Sequence, residues 1–174
     1  FINLIKWSHS NNQKCQIIGA GSNLLINNTL LKGLTICTKK LRSIQVEPIS
    51  GIIEAEAGVM LPTLSNVLAK NGLKGGEWTV GIPGTIGGAI CMNAGSGKLS
   101  LANNLLSVKV IDTKTLEIDE IQKKDITFKY RFSPFQYNNL LIISSKLRFE
   151  PKGDIKQLLE TTKKTLKIKT ESQP

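Results

Sequence analysis

The run Gly81-Ile82-Pro83-Gly84-Thr85-Ile86-Gly87-Gly88-Ala89 sets glycines among apolar residues and a single threonine. It lies in a segment, Lys74 to Gly97, that holds Gly75, Gly76, Gly81, Gly84, Gly87, Gly88, Gly95 and Gly97, eight of the chain's 15 glycines. Glycine loses more conformational freedom on folding than any other residue, so such a density marks backbone that must come close to a ligand or to another chain segment. A second run, Gly19-Ala20-Gly21-Ser22-Asn23, follows strand-like Lys14 to Ile18 and reads as a tight turn. Consecutive N–H groups in such turns form a concavity suited to a pyrophosphate, and Ser22, Asn23 and Thr85 could donate further hydrogen bonds. Two such loops on two lobes could clamp one dinucleotide. On the residues alone, each could equally be a tight turn that binds nothing.

Neither run fits the familiar nucleotide motifs. After Gly19 and Gly21 the third glycine of a Rossmann fingerprint is replaced by Leu24, and no helix pattern follows. Gly95-Ser96-Gly97-Lys98-Leu99 falls short of a P-loop, because Met92 stands at the first glycine and Leu99 where Ser or Thr is required.

Working outward, Phe1 to Trp7 reads as an amphipathic helix already under way, so the true beginning is expected to be missing. Strand-like runs follow at Leu34 to Thr38, Ile44 to Val46 and Ile52 to Ala57. Leu61, Leu64, Leu68 and Gly72 outline a helix with Pro62 in its first turn. Leu106 to Asp112 and Leu116 to Asp119 predict a hairpin, and Thr127 to Phe132 and Leu140 to Phe149 two more strands. Asp154 is the expected N-cap of a last helix, with Gln157 three residues on. Strands with scattered short helices lack the regular alternation of a doubly wound sheet, so the predicted class is α+β in two lobes. Residues 1–41 complete the first lobe and 42–150 form the second, with 151–174 a closing helix.

Composition excludes several chemistries. The longest apolar stretches, such as Leu140 to Ile143, fall far short of the roughly 20 residues of a membrane-spanning helix. Cys15, Cys37 and Cys91 are odd in number and widely spaced, which speaks against a disulfide framework or a zinc site and for a reducing cytoplasm. His9, the only histidine, sits in a polar run and is expected to be solvated. The net charge of +10 suits nucleic acid, an anionic surface or a phosphorylated small molecule alike. Lys156, Lys163, Lys164, Lys167 and Lys169 read as a solvated face of the last helix, whose apolar stripe is Ile155, Leu158, Leu159, Thr162 and Leu166. Phe128-Lys129-Tyr130-Arg131-Phe132 interleaves basic and aromatic residues but lacks the glycines of an RNA-recognition strand.

Taken in order, Ile17 to Ile26, Gly76 to Ala89, Asn93-Ala94-Gly95 and Tyr130-Arg131-Phe132-Ser133 resemble the UDP-N-acetylenolpyruvoylglucosamine reductase family over almost the whole chain. The resemblance implies a two-lobed FAD-binding fold of the vanillyl-alcohol-oxidase type and NADPH as the hydride source. It also implies a UDP-linked amino-sugar substrate, a monomeric enzyme of peptidoglycan synthesis in the cytoplasm, and no nucleic-acid or membrane partner. Carried over, Gly19, Gly21, Ser22, Asn23 and Leu24 would hold the FAD pyrophosphate region, and Ile82, Gly84, Thr85, Gly87, Gly88 and Asn93 would line the second side. Arg131 would be the active-site arginine, with Tyr130 beside it near the substrate. Ser96-Gly97-Lys98-Leu99 departs from the family pattern after Gly95. The family's proton-donating serine and catalytic glutamate belong to a C-terminal substrate domain, so this chain is expected to be truncated at both ends and inactive alone. Another flavin oxidoreductase of the same fold, a basic nucleic-acid-binding module and a degenerate pseudoenzyme are the competing readings.

Overall fold

The computed structural model describes residues 1–27 and 30–172 of the chain; Gln173 and Pro174, the last of the expected closing segment, lie outside the described residues. Helix α1 (Ile2–Ser10) turns Ile5 and Ser8 inward, with the Ser8 hydroxyl donating to the Ile5 carbonyl at 2.8 Å. Strands β1 (Cys15–Ile18) and β2 (Leu34–Cys37) then pair in parallel, Cys15 opposite Leu34 and Ile18 opposite Cys37.

A second sheet begins at β3 (Ile44–Glu47) and β4 (Ile52–Glu56), joined by a turn in which Gly51 adopts φ +71°. Helix α2 (Leu61–Lys70) carries Pro62 in its first turn, and Gly72 just past its end has φ +66°, as a C-terminal cap requires. A 3-10 turn (Glu77–Gly81) and the short helix α3 (Ile86–Cys91) follow. After them come the small ribbon of β5 (Gly95–Ser96) and β6 (Leu99–Ser100), and α4 (Leu101–Asn104). The hairpin β7 (Leu105–Asp112) and β8 (Ile118–Gln122) and the long strand β9 (Leu140–Arg148) complete an antiparallel sheet of order β3-β4-β9-β7-β8.

One face of this sheet buries Ile53, Ala55, Val108, Val110 and Leu147 against Leu64 and Leu68 of α2 and Ile86 and Ile90 of α3. Register shifts in the β7–β9 ladder let Leu105 and Val108, and likewise Ile142 and Leu147, reach this one core despite odd spacing. On the other face Ile111, with Leu141 and Ile143, meets Ile5 of α1 and Ile36 and Ile17 of the small sheet. The two cores therefore lie on opposite faces of β7 and β9, which form a common wall between them.

Three expectations need correction. Thr127 to Phe132 is not a strand: Lys129 and Phe132 exchange N–H···O bonds of 3.1 Å each way across a turn made by Tyr130 and Arg131. The segment instead folds back on itself and is docked by side chains, Asn93 Nδ2 donating to the Lys129 carbonyl and Gln136 Nε2 to the Arg131 carbonyl, while β8 keeps the edge of the large sheet. Second, Ile86 to Ala89 is helix rather than loop, since Thr85 supplies a cap that overrides the low helix propensity of Gly87 and Gly88. Third, the lysines of α5 (Ile155–Ser172) do not all lie on a solvated face. Asp154 caps that helix, accepting from Gln157 N–H at 2.8 Å, and Leu158 and Thr162 are buried against α2 and the 3-10 turn. Lys169 shares their side, while Ile155 and Leu166 of the expected apolar stripe are exposed. No helix among the described residues is long and apolar enough to cross a membrane.

Candidate functional site

The two glycine runs, far apart in sequence, meet in the fold. Ser22 Oγ donates to the Pro83 carbonyl at 3.0 Å. A Cβ added at Gly19 would lie 2.6 Å from Thr85 Oγ1, and one at Gly84 would lie 3.4 Å from Ser22 Oγ. The first run is anchored from below by β2 and the turn after it: Cys37 Sγ contacts the Gly19 carbonyl at 3.5 Å, and Thr38 Oγ1 donates to the Ile18 carbonyl at 3.4 Å. Gly21 has φ +79° and Gly84 φ +139°, conformations that L side chains rarely adopt.

The donor inventory is uneven. The N–H groups of Ala20, Gly21, Ser22 and Asn23, and those of Gly84 and Thr85, reach no acceptor among the described residues. The N–H groups expected from Gly87 and Gly88 are already taken. Ile86 N–H donates to Val59 O and Gly87 N–H to Ala57 O, both at 2.8 Å, and Gly88 N–H donates to Thr85 Oγ1 at 3.3 Å. Gly87 is small for a neighbour in the protein: its Cβ would sit 2.9 Å from Ala57 Cβ and 3.1 Å from Ala57 O. The Ser22 hydroxyl, expected to donate outward, donates to Pro83 instead. Asn23 and Leu24 are exposed on the first loop, whereas Ile82 is half-buried and packs against the main core.

Helix α3 joins this pair of loops to a second cluster. At 1.5 Å per residue its six residues span about 9 Å. At its far end the Cys91 carbonyl accepts from Ser133 Oγ at 2.7 Å and from Gln136 Nε2 at 3.0 Å. Gln136 Nε2 also lies 3.0 Å from the Arg131 carbonyl. Asn93, at φ +43°, donates from Nδ2 to the Lys129 carbonyl at 2.9 Å, and its Oδ1 is buried with no partner. These bonds dock the Tyr130–Arg131 turn beside Asn93-Ala94-Gly95. Arg131 holds φ +53°, its guanidinium lies 5.5 Å from the Tyr130 ring centroid, and one long contact of 3.5 Å reaches the Gly95 carbonyl. Tyr130 is 90% exposed, and Arg131 is exposed too, so most of the guanidinium's donors remain available to an anion.

Burial pushes the Cys91 thiol above its ordinary pKa, so it stays protonated and its carbonyl, not its sulfur, takes part in the site. His9 is exposed on α1, away from both clusters. Sequence reasoning missed Gln136 and the Ala57 and Pro83 carbonyls. Gln136 follows Arg131 closely in the chain, but nothing in its spacing marks it as the brace of the turn.

A junction where two glycine turns present unpaired N–H groups is the geometry of a dinucleotide-cofactor protein, and the exposed arginine turn lies about one short helix away. The chain belongs to the FAD binding domain family, whose model matches residues 1–117. It is 78% identical over 174 residues to UDP-N-acetylenolpyruvoylglucosamine reductase of Prochlorococcus marinus subsp. pastoris, covering 100% of this chain and 59% of that protein. The reductase of Prochlorococcus marinus strain MIT 9313 is 43% identical over 171 residues, covering 98% of this chain and 56% of that protein. The chain thus spans a little over half the length of these relatives.

Among solved structures, UDP-N-acetylenolpyruvylglucosamine reductase from Thermus caldophilus matches with TM-score 0.76 at 23% identity, over 97% of this chain and 60% of that one. Alkyldihydroxyacetonephosphate synthase matches with TM-score 0.67 at 17% identity, over 86% of this chain and 32% of that one. At such identities these likenesses establish the fold: α+β, of the vanillyl-alcohol-oxidase type and not Rossmann, as expected. FAD is the cofactor of this family, and the unpaired N–H groups at Ala20–Asn23 and Gly84–Thr85 fit a pyrophosphate bridge of the kind FAD carries.

Proposed function

We propose that this chain supplies the FAD site and one active-site arginine of an enzyme that uses NADPH to reduce UDP-N-acetylglucosamine enolpyruvate to UDP-N-acetylmuramate, a step of peptidoglycan synthesis. The observation that carries this reading is the 78% identity, along the whole chain, to a protein named for that reduction. FAD, when bound, takes reducing equivalents from NADPH and delivers them to the enolpyruvyl double bond.

The chain's own residues supply position and field. Gly19, Gly21, Ser22, Asn23 and Leu24 hold the pyrophosphate side. Ile82, Gly84, Thr85 and Asn93 form the facing wall, and Gly87 contributes by letting α3 pack against Ala57 rather than by donating, while the Gly88 N–H is spent on the Thr85 cap. Tyr130 flanks the substrate. Reduction at one alkene carbon pushes negative charge toward the substrate carboxylate, and the Arg131 guanidinium stabilises it as a permanent cation. Arg131 stands exposed in a left-handed turn, and Gln136 and Asn93 brace that turn through the Arg131 and Lys129 carbonyls. The proton-donating serine and catalytic glutamate of the reaction are assigned to no residue of this chain. Within the reading, residues 1–41 and 42–150 are the two cofactor lobes and 151–174 the helix that follows, in a monomeric cytoplasmic enzyme with no nucleic-acid partner.

The test is NADPH oxidation by the full-length protein with and without the enolpyruvyl sugar nucleotide, alongside its visible spectrum. A flavin spectrum with substrate-dependent oxidation supports the proposal. A flavin spectrum with oxidation indifferent to this substrate would sink the substrate assignment while leaving the cofactor.

A further inference from the structure

Lys169 departs from the other lysines of α5. Lys156, Lys163, Lys164 and Lys167 are exposed, whereas Lys169 continues the inward seam of Leu158, Thr162 and Thr165 toward the 3-10 turn. Its Nζ donates to the Trp78 carbonyl at 2.8 Å. Its stem lies flat on Gly81: a Cβ there would be 2.2 Å from Lys169 Cδ, 3.0 Å from its Cβ and 3.1 Å from its Cγ. Gly81 has no positive φ, so glycine is needed there for space, and the space is filled by this lysine. Partial burial pushes the ammonium below its ordinary lysine pKa, a penalty that a methionine at this position would avoid.

The clamped turn leads straight into the cofactor wall. Thr79, fully buried, fixes its other side, donating from Oγ1 to Gly76 O at 2.7 Å and Leu61 O at 3.3 Å. Ile82 N–H then closes onto Thr79 O at 3.1 Å, and the next carbonyl, that of Pro83, takes the Ser22 hydroxyl. Covalent chain and hydrogen bonds thus connect Lys169 to the meeting point of the two glycine loops without a flexible spacer.

We propose that Lys169 is a positioning residue for FAD, holding the turn Glu77–Gly81 so that Ile82 to Thr85 keep the shape that faces the first glycine loop. The proposal rests on the FAD-binding assignment. It gives α5 a part in cofactor retention although α5 lies beyond the matched segment 1–117.

The experiment uses the full-length protein freed of flavin, with Lys169→Met, Gly81→Ala and the double variant. FAD dissociation constants come from quenching of flavin fluorescence, and thermal midpoints of the apo forms are measured in parallel. Lys169→Met should raise the FAD Kd about tenfold, because the cofactor must then order the unclamped turn on binding, with the apo midpoint little changed since the lost bond is offset by relief of the ammonium's burial. Gly81→Ala should do the same by displacing the lysine stem. The double variant should be no worse than the worse single, because both act through one contact.

An unchanged Kd for Lys169→Met, a Kd that merely follows the apo midpoint, or multiplying effects in the double variant would each overturn the proposal. If the unsubstituted protein fails to bind FAD, the cofactor assignment falls first and this proposal with it. If that protein binds FAD and Lys169→Met binds equally well, only the role of Lys169 falls.

Discussion

Arg131 shows how a single residue can sit badly for the chain and well for the chemistry. Its left-handed backbone costs about 1 kcal/mol for a residue with a Cβ, and the one hydrogen bond of its side chain among the described residues is the long 3.5 Å contact to the Gly95 carbonyl. Arg131→Gly should therefore keep or slightly raise the thermal midpoint while cutting substrate reduction by about a hundredfold or more. Midpoint and turnover measured on one preparation check this, and normal turnover would remove Arg131 from the site. Gly87 gives the opposite case. The sequence suggested glycine so that backbone could approach a ligand, but the Cβ contact is with Ala57. Gly87→Val should lower apo stability as well as flavin content, since it pries α3 from the end of β4; a variant of unchanged apo stability that lost flavin would restore the ligand-approach reading.

Helix α3 is short, holds two glycines and survives because Thr85 caps it and the Ala57 and Val59 carbonyls, just past β4, receive its first N–H groups. Removing the cap acceptor with Thr85→Val should cost about 1 kcal/mol, seen as a lower denaturation midpoint of the apo protein. The strand-like sequence 127–132 failed as a strand for a related reason. Alternation of apolar and polar residues marks a chain that could pair, but here the segment folds back on itself and Asn93 and Gln136 take its Lys129 and Arg131 carbonyls.

On the sheet, Glu120 is held below its ordinary carboxylate pKa, first by the Ser107 hydroxyl at 2.6 Å and then by Lys146 at 3.1 Å. A carboxylate with a lowered folded-state pKa contributes stability above the unfolded value, and that contribution is lost as pH falls through the folded one. Glu120→Gln should thus be less stable than the unsubstituted protein at pH 7, with the gap closing below about pH 4. Denaturation midpoints across that range decide it; a gap independent of pH would point to packing instead.

At the scale of the molecule the site forms where two cores pack on opposite faces of β7 and β9. Ile111, fully buried, faces the small sheet from β7, while Leu64 lies deep in the other core. Ile111→Ala and Leu64→Ala should each destabilise by about 2–5 kcal/mol. Only the first should also weaken FAD binding in the folded state, because it loosens the junction that brings Ser22 to Pro83; equal FAD affinities in the two variants would show that the loops keep their geometry without it. The sequence by itself determined the glycine runs, most strands of each lobe, the helix caps at Gly72 and Asp154, and the family, since these depend on local backbone needs and ordered motifs. Tertiary structure alone decided which glycine faces a cofactor and which faces the protein, which N–H groups stay unpaired, and that Lys169 turns inward. Those choices are made by neighbours distant in the chain, and a side chain's partner across a fold leaves no period or spacing in the sequence to be read.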